Sequence, residues 1–319
     1  MFSIIIPLYN KAPYIAKALR SVAEQTYKEF ELIVIDDGST DESIEKLRDT
    51  SYELREKNLD FYTKVKIIEQ QNQGVSVTRN NGVKLAKYDY IAFLDADDWW
   101  EPTFLEEMKA LVDEFPDAGI YSSSYFKVKN GNLIKANIGV EKDFLKGEIN
   151  YLQVYAKTMY MPITSITVVL KKEVFEKTGG FNSMLKFGED FDLWLRITWD
   201  FKFIFLNKEL AFYNQDIEIL NRAVGSKLYL PNEHAFFQDF TRYKKNSDFI
   251  FLFEVLAVYG LMPYYLAKKN KAEVGEILKC IHWKNHAFKY RLYYRILPRI
   301  IVMWWFSALK FGAKFKKRS

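Results

Sequence analysis

The sequence predicts an α/β fold in which a mainly parallel sheet is flanked by helices and followed by a helical C-terminal region. Short apolar runs of strand length alternate with segments of helical periodicity through about the first 100 residues, with short connections between them. Acidic side chains follow several of these runs directly, and ligands of such folds sit beyond the carboxyl ends of the strands. Strand signals stop at about Pro231, which predicts the helical region.

The first four strands are predicted from apolar runs bounded by polar or turn residues. They lie at residues 2–9, Phe30–Ile35, Val65–Glu69 and Tyr90–Leu94. Helices are predicted between them at residues 13–25, 41–48 and 77–86. Ser39 or Thr40 is the expected cap of the second helix. Residues 49–63 are polar and poorly periodic, so no element is predicted there.

The alternation changes after the fourth strand. A helix at Thr103–Phe115 and a strand at Gly119–Ser124 precede a hairpin over residues 125–138, whose turn is Asn130-Gly131. Another short strand is predicted at Thr167–Leu170. A loop flexed by two glycines then leads into a helix that starts near Glu189.

Three carboxylates follow the fourth strand within four positions: Asp95, Asp97 and Asp98. Such crowding is costly unless the carboxylates share a positive charge. Mg²⁺ or Mn²⁺ takes hard oxygen ligands and leaves positions for phosphate oxygens, which favours a metal that holds a nucleotide diphosphate. The alternative is a solvated turn that caps the helix starting near Pro102.

A second acidic group, Glu189, Asp190 and Asp192, lies in the first turn of a later helix. Acids at this position complement the helix dipole, and that interpretation stands beside a catalytic one. Neither a dinucleotide-binding glycine fingerprint nor a P-loop occurs in the chain. A bound nucleotide would therefore be held by carboxylates, a metal and backbone groups.

Cysteine usage and the start of the chain predict a cytosolic protein. Cys280 is the single cysteine, so no internal disulfide forms and nothing requires an oxidising compartment. The first residues lack the basic segment and the cleavage site of a signal peptide. Cys280, His282 and His286 are not expected to bind zinc, because no second ligand pair accompanies them.

The basic residues concentrate at the C-terminal end. The formal net charge is +5, yet residues 277–319 hold eleven Lys or Arg and no acid, which leaves 35 basic against 41 acidic residues before them. One helical face is basic: it carries Arg291, Arg295 and Arg299 at a spacing of four residues and is continued roughly by Lys310, Lys314 and Lys317. The apolar side chains of Trp304 and Trp305 lie on a different face. This pattern favours a helix at an anionic membrane surface. The alternatives are helices that cover the core or form a homodimer, and no nucleic-acid partner is expected.

Four stretches together resemble the inverting family 2 glycosyltransferases of the GT-A fold, including those that build bacterial capsules, exopolysaccharides and O-antigens. They are Ser3-Ile4-Ile5-Ile6-Pro7-Leu8-Tyr9-Asn10, Asp36-Asp37-Gly38-Ser39, Asp95-Ala96-Asp97 and Glu189-Asp190. The resemblance covers about residues 1–215. It implies a catalytic domain at 1–225, with a nucleotide-sugar half at about 1–100 and an acceptor half at about 101–225. The pattern of residues 226–319 separately predicts a helical, basic and aromatic region that associates with a membrane.

The resemblance implies a donor site for a nucleotide-sugar, with UDP-sugars as the expected class. Pro7, Tyr9 and Asp37 would line the base and ribose pocket, and Asp37 would accept a hydrogen bond from a uracil imide. Arg79 would face the nucleotide.

The resemblance also implies the metal ligands and the base. Asp97 is the expected direct ligand of Mn²⁺ or Mg²⁺, and Asp95 binds the metal or the ribose. Asp190 would take a proton from an acceptor hydroxyl as it attacks the anomeric carbon, with Glu189 as an orienting neighbour that keeps the pKa of Asp190 high. Asp98 is left out of the direct metal ligands.

The chain departs from the usual family pattern after Tyr213. Asn214-Gln215-Asp216 replaces the usual basic residues, and Arg222 is either a substitute near the diphosphate or part of a surface loop. A Q-x-x-R-W motif and a multi-span membrane region are not found, which argues against a processive synthase and favours transfer of one sugar per visit. Docking at the inner face of the membrane would bring the enzyme to a lipid-linked surface glycan. The alternatives are a polyprenyl-phosphate sugar synthase and a catalytically silent nucleotide- or glycan-binding scaffold.

Overall fold

The computed structural model describes residues 1–57, 59–216 and 228–305. The chain divides into two compact units, Met1–Gly225 and Ser226–Ser319. The first unit is built on a ten-stranded sheet and the described part of the second is helical, so the predicted α/β fold with a helical C-terminal region is confirmed.

The sheet has the strand order β3-β2-β1-β4-β9-β6-β10-β5, with β7 paired to β6 and β8 paired to β10. The strands are β1 (Phe2–Leu8), β2 (Phe30–Asp36), β3 (Val65–Glu69), β4 (Tyr90–Phe93), β5 (Trp99–Trp100), β6 (Ile120–Lys129), β7 (Asn132–Lys135), β8 (Lys146–Glu148), β9 (Val168–Lys171) and β10 (Phe203–Asn214). The first four strands pair in parallel, and β9 runs antiparallel to β4 and β6. The carboxyl ends of β1, β2 and β4 therefore meet at one edge.

The helices of the first unit lie between these strands. They are α1 (Ile15–Ala23), α2 (Ser43–Lys57), α3 (Leu59–Thr63), α4 (Val75–Leu85), α5 (Phe104–Glu114), α6 (Tyr151–Thr158), α7 (Lys172–Lys177) and α8 (Glu189–Asp200). Every residue of β2 is buried, as expected of a strand covered on both faces. Helix α4 packs closely on β1, because a Cβ on Gly82 would lie 2.4 Å from Cγ2 of Ile5.

The sequence predictions for the second helix were wrong. Ser39 and Thr40 do not cap it, because α2 begins at Ser43 and Oγ of Ser39 instead accepts from the backbone N–H of Asn10. Residues 49–63 carry no predicted element, yet most of them lie in α2 and α3. The buried face of α2 is made largely of small polar residues, with Ser43, Thr50 and Ser51 buried beside Leu47. A helix that buries hydroxyl side chains shows little apolar periodicity, and this explains why the second half of α2 was not predicted.

The second unit contains α9 (Ser247–Gly260), α10 (Met262–Ala267), α11 (Lys271–Cys280) and α12 (Phe288–Arg291) among its described residues. Residues 299–305 are also helical. Ala257, Leu261 and Val302 are fully buried in its hydrophobic core. Over the ranges that the structure describes, every helix is too short or too polar to cross a membrane.

Candidate active site

The loops after β1 and β2 are tied together by hydrogen bonds. Asn10 adopts a left-handed backbone conformation with φ of 52°. Its backbone N–H donates to Oγ of Ser39 at 3.0 Å, and the backbone N–H of Lys11 donates to Oγ of Ser43 at 2.7 Å. These contacts fix the chain beside Tyr9, whose side chain is 46% exposed and open to a ligand.

Asp37 is buried and organises the loop that leads into α4. Its Oδ1 accepts from Nε2 of Gln70 and from the backbone N–H of Gln73, each at 2.8 Å. Its Oδ2 accepts from the backbone N–H of Gly74 at 2.8 Å. The carboxylate thus shapes the loop at the predicted nucleotide pocket, a role that the sequence did not indicate.

Asp97 forms an ion pair with Lys11, whose Nζ lies 2.6 Å from Oδ2. Burial is the largest influence on the pKa of Asp97 and raises it; Lys11 opposes this effect, and the charge of Asp95 adds to it. Lys11 was not among the predicted site residues. Its position directly after the first strand, opposite the acidic stretch, is the signal that would have identified it.

Asp98 does not cap the following helix, which has Thr103 at its cap position. Its Oδ1 accepts from the backbone N–H of Asn214 at 2.7 Å, which ties the end of β10 to the acidic stretch. Oδ2 is buried without a hydrogen-bond partner among the described residues. Burial, followed by the charges of Asp97 and Asp95, raises the pKa of Asp98 well above its ordinary value.

Arg79 lies between the two acidic groups. Its Nη2 donates to Oδ1 of Asp95 at 2.6 Å, and its Nη1 lies 3.8 Å from Oε1 of Glu189. The side chain is buried, and its guanidinium lies 5.2 Å from the ring centre of Phe181. Within the described ranges, Nε and Nη1 of Arg79 have no hydrogen-bond partner, so a polar ligand group would find donors here.

Glu189 and Asp190 open α8 and lie near Arg79. Burial, followed by the charge of Asp190, raises the pKa of Glu189 to about 7, while Arg79 lowers it. Burial also raises the pKa of Asp190, whose Oδ1 accepts from the backbone N–H of Phe191 at 2.7 Å. A buried carboxyl with a raised pKa is suited to general-base work.

Tyrosines from two elements surround this part of the site, and sequence reasoning did not identify them. Tyr151 and Tyr155 lie on α6, and burial together with the charge of Asp190 raises the pKa of both. Tyr213 on β10 is 39% exposed, and burial together with the charges of Asp98 and Asp95 raises its pKa to about 12. No motif spacing connects these positions, because the fold alone assembles them.

The structure therefore brings Arg79, Asp95 and Glu189 into one network, with Asp97 adjacent to Asp95 in the chain and Asp190 beside Glu189. Pro7 is half-buried at the end of β1. Asp216 accepts from the backbone N–H of Gly131 at 2.8 Å and so holds the turn between β6 and β7. Arg222 lies outside the described residues.

The residues present fit a divalent cation held by one or two carboxylates. Asp95 and Asp97 follow β4 directly, and desolvation and mutual repulsion raise the pKa of Asp97, a cost that a bound cation would relieve. No group of three or more potential ligand side chains occurs in the described residues. Mg²⁺ and Mn²⁺ sites of this kind complete their coordination with substrate phosphates and water.

Residues 3–182 match the family model described as glycosyl transferase family 2, which is more than half of the chain. The chain belongs to glycosyltransferase family 2. The matched segment of this glycosyltransferase contains Asp37, Arg79, Asp95 and Asp97 and ends before Glu189.

The relatives of this family 2 glycosyltransferase include the amylovoran biosynthesis glycosyltransferase AmsB of Erwinia amylovora. The two are 31% identical over 226 residues, which is 67% of this chain and 69% of AmsB. The chain spans only 16% to 32% of the length of several other curated bacterial glycosyltransferases that it matches.

Two solved structures share the fold at low sequence identity. TarS 1–349 of S. aureus, in complex with UDP-GlcNAc, has a TM-score of 0.61 and 19% identity, covering 95% of this chain and 78% of that one. The mannosyltransferase PcManGT from Pyrobaculum calidifontis, in complex with GDP-Man and Mn²⁺, has a TM-score of 0.51 and 18% identity, covering 97% and 79%. The predicted family and its GT-A-like fold are therefore confirmed.

Proposed function

We propose that this enzyme transfers one sugar from a nucleotide-sugar donor to a hydroxyl group of a glycan acceptor, with inversion at the anomeric carbon. The observation that carries the proposal is the division of the acidic residues into two groups joined by Arg79. Asp95 lies on one side of the guanidinium and Glu189 on the other. Inverting transfer needs one group for the leaving diphosphate and another for the attacking hydroxyl.

The donor side consists of the loops after β1, β2 and β4. Tyr9 and Pro7 offer surface to the base and ribose, and Asp37 holds the loop that completes this pocket. Asp97 and Asp95 would hold Mn²⁺ or Mg²⁺, which neutralises charge on the diphosphate when bound. Binding of UDP-GlcNAc by TarS supports a nucleotide-sugar donor, and the Mn²⁺ in the PcManGT complex supports the metal.

The acceptor side consists of Asp190 and its surroundings. The acceptor oxygen forms a bond to the anomeric carbon while the bond from that carbon to the diphosphate oxygen breaks. Asp190 takes the acceptor proton, and the electron pair of the broken bond leaves on the diphosphate. Burial raises the pKa of Asp190 and so strengthens it as a base, and burial together with the charge of Asp190 raises the pKa of Glu189 to about 7.

Hydrolysis of the donor is the direct test of this function. UDP- and GDP-sugars are screened for hydrolysis and thermal stabilisation of the protein, with Mn²⁺ and with EDTA. We expect one donor class to be hydrolysed only with metal, and Asp97→Asn to reduce both hydrolysis and stabilisation. Nucleotide binding without hydrolysis or transfer would favour a silent scaffold and contradict the proposal.

We also propose that the second unit holds the enzyme at the inner face of the cell membrane, where a lipid-linked acceptor would lie. Helical residues 299–305 expose four large apolar side chains, since Ile300, Ile301, Trp304 and Trp305 are 49% to 70% exposed. Exposed Arg291 and Arg295 precede it. Apolar and Trp-rich surface beside basic residues fits an anionic lipid interface.

Vesicle binding tests the membrane proposal. The full chain is sedimented with phosphatidylcholine vesicles that contain or lack phosphatidylglycerol. We expect binding only to the anionic vesicles, and loss of binding in the Trp304→Ser, Trp305→Ser double variant. Leu145→Ser is the control, because Leu145 is 76% exposed in the first unit. A chain that ignores anionic vesicles, or a double variant that binds normally, would contradict the proposal.

A further inference from the structure

Lys127 is a half-buried cation on β6, the strand that pairs with β10 at Tyr213. Its Nζ lies 3.9 Å from the ring centre of Tyr160. Burial, together with the charge of Lys129, lowers its pKa. A lysine that loses hydration in this way needs compensation.

The compensation does not come from a carboxylate among the described residues. Lys127 forms no ion pair there, whereas Lys11 pairs with Asp97 and Lys66 pairs with Glu31. The ring of Tyr160 supplies only a cation–π contact, and an uncharged ring does not neutralise the ammonium group. The protein therefore keeps a partly desolvated positive charge available for an external anion.

The position of Lys127 relates it to the acidic residues through Tyr213. Tyr213 and Lys127 are register partners on the parallel strands β10 and β6, so their side chains lie on the same face of the sheet. Asp98 and Asp95 lie close enough to Tyr213 for their negative charges to raise its pKa. The pKa of Lys127, in contrast, is not influenced by any carboxylate charge among the described residues. Lys127 thus lies on the strand next to that of Tyr213, at a spacing of about 5 Å.

We propose that Lys127, Tyr160 and Tyr213 form an acceptor subsite that binds a phosphate or carboxylate group of the acceptor. This inference rests on the proposed function and adds the chemical class of the acceptor. Lys127 would pair with the oxyanion, and the tyrosine rings would contact the sugar or polyol that carries it. If the anionic group of the acceptor lies one sugar or polyol unit from the attacking hydroxyl, the anion would bind Lys127 while the hydroxyl faces Asp190.

Calorimetric titration with defined probes tests the subsite. Glycerol 3-phosphate and glucuronate are the anionic probes, and glycerol and glucose are their neutral counterparts. Each is titrated into the full chain with and without UDP and Mn²⁺. We expect Lys127→Gln to weaken binding of the anionic probe by about tenfold or more and Lys127→Arg to retain most of it. Lys46→Gln, which removes an exposed charge from α2, serves as the matched control.

Each outcome is decisive. Selective binding of glycerol 3-phosphate identifies a phosphate-bearing acceptor, selective binding of glucuronate identifies a carboxylate-bearing one, and binding of both identifies recognition by charge. Equal binding by wild type and Lys127→Gln, or no preference for anionic over neutral probes, overturns the inference. UDP affinity is measured in the same samples, so a failure of the donor site is distinguished from a failure of this subsite.

Discussion

Arg79 connects Asp95 and Glu189: its Nη2 donates to Asp95 at 2.6 Å while its Nη1 lies 3.8 Å from Oε1 of Glu189. The two acids come from the end of β4 and the start of α8, which are far apart in the chain. A buried planar guanidinium can reach both at once, and a lysine ammonium cannot replace that fork. Arg79 thus couples the donor side of the site to the acceptor side.

Arg79→Lys is predicted to shift the pH dependence of transfer. Arg79 lowers the pKa of both Glu189 and Asp190, so weakening these contacts raises both values. The acidic limb of kcat/KM should then move to higher pH, with activity at pH 7 lowered by about tenfold or more. Arg48→Lys, at an exposed pair with Glu69, is the control. An unchanged pH profile would show that Arg79 is not coupled to these acids.

Asp190→Asn is predicted to stop transfer and to spare donor binding. The amide keeps the shape of the side chain but cannot take a proton, and the loss of a general base costs about 10²–10⁴-fold in rate. UDP affinity with Mn²⁺, measured by calorimetry, should stay close to that of wild type. Near-normal turnover would contradict the assignment of Asp190 as the general base. It would favour a phosphate acceptor that needs no strong base, as in a polyprenyl-phosphate sugar synthase.

Glu189→Gln is predicted to stabilise the protein in alkaline solution. The pKa of Glu189 is raised from 4.5 to about 7, so the folded state binds its proton more tightly than the unfolded state does. This group therefore lowers stability progressively as pH rises from about 4.5 to 7, by about 3 kcal/mol in all, since one pKa unit corresponds to about 1.4 kcal/mol. Urea unfolding at pH 5 and pH 8 measures the effect. A variant no more stable than wild type at pH 8 would refute it.

Asp37→Asn is predicted to destabilise the first unit as well as weaken nucleotide binding. Gln70, Gln73 and Gly74 all donate to this buried carboxylate, and an amide nitrogen in place of one oxygen cannot accept from them. An unsatisfied buried donor costs about 1–3 kcal/mol. Urea denaturation measures the loss, and Asp113→Asn, at an exposed pair with Lys109, should leave stability unchanged. Equal stability of the two variants would mean that Asp37 acts on the ligand alone.

Much of the parallel sheet could be predicted, because a central strand such as β2, buried along its whole length, is mostly apolar, and the more exposed edge strand β3 still contains a short apolar run. Val65–Glu69 was predicted with its observed bounds, and Phe30–Ile35 ends one residue short of β2. The failure at α2 has the opposite cause, since its buried face carries hydroxyl groups such as those of Thr50 and Ser51. Apolar periodicity reports a helix only where the core that it faces is apolar.

The candidate site was only partly predictable for a related reason. Asp95 and Asp97 follow a strand in the chain, so the motif itself identifies them. Lys11 follows the first strand and could have been identified from that position, whereas Tyr213 reaches the acids through strand order and register, which a single sequence does not reveal. The contact between Arg79 and Glu189 is equally hidden from a single sequence, because α4 and α8 lie far apart in the chain and come together only in the folded structure.

The second unit contains a buried acid that forms close contacts with two of its histidines. Glu254 on α9 is 3% exposed, its Oε1 contacts Nδ1 of His282 at 2.6 Å, and its Oε2 contacts Nε2 of His286 at 2.9 Å. The backbone N–H of His282 also donates to Oε1 at 3.1 Å. Burial raises the pKa of Glu254, but these hydrogen bonds outweigh it, and the net shift is downward. The histidines thus anchor the segment after α11 to α9.

Glu254→Gln is therefore predicted to destabilise the second unit in a pH-dependent way. Hydrogen bonds to a charged group contribute about 1.5–3 kcal/mol, and the amide lacks that charge. Because the folded-state pKa of Glu254 is below 4.5, its contribution is complete above pH 4.5 and is lost as pH falls through the folded-state value. Hydrogen exchange of the α9 amides in increasing urea, at pH 7 and below pH 4, reports on this helix directly. The difference in α9 stability between wild type and variant should become smaller below pH 4. Glu276→Gln, at an exposed pair with Lys279, should match wild type at both pH values. A gap of equal size at both pH values would mean that Glu254 stabilises α9 through packing and not through its charge.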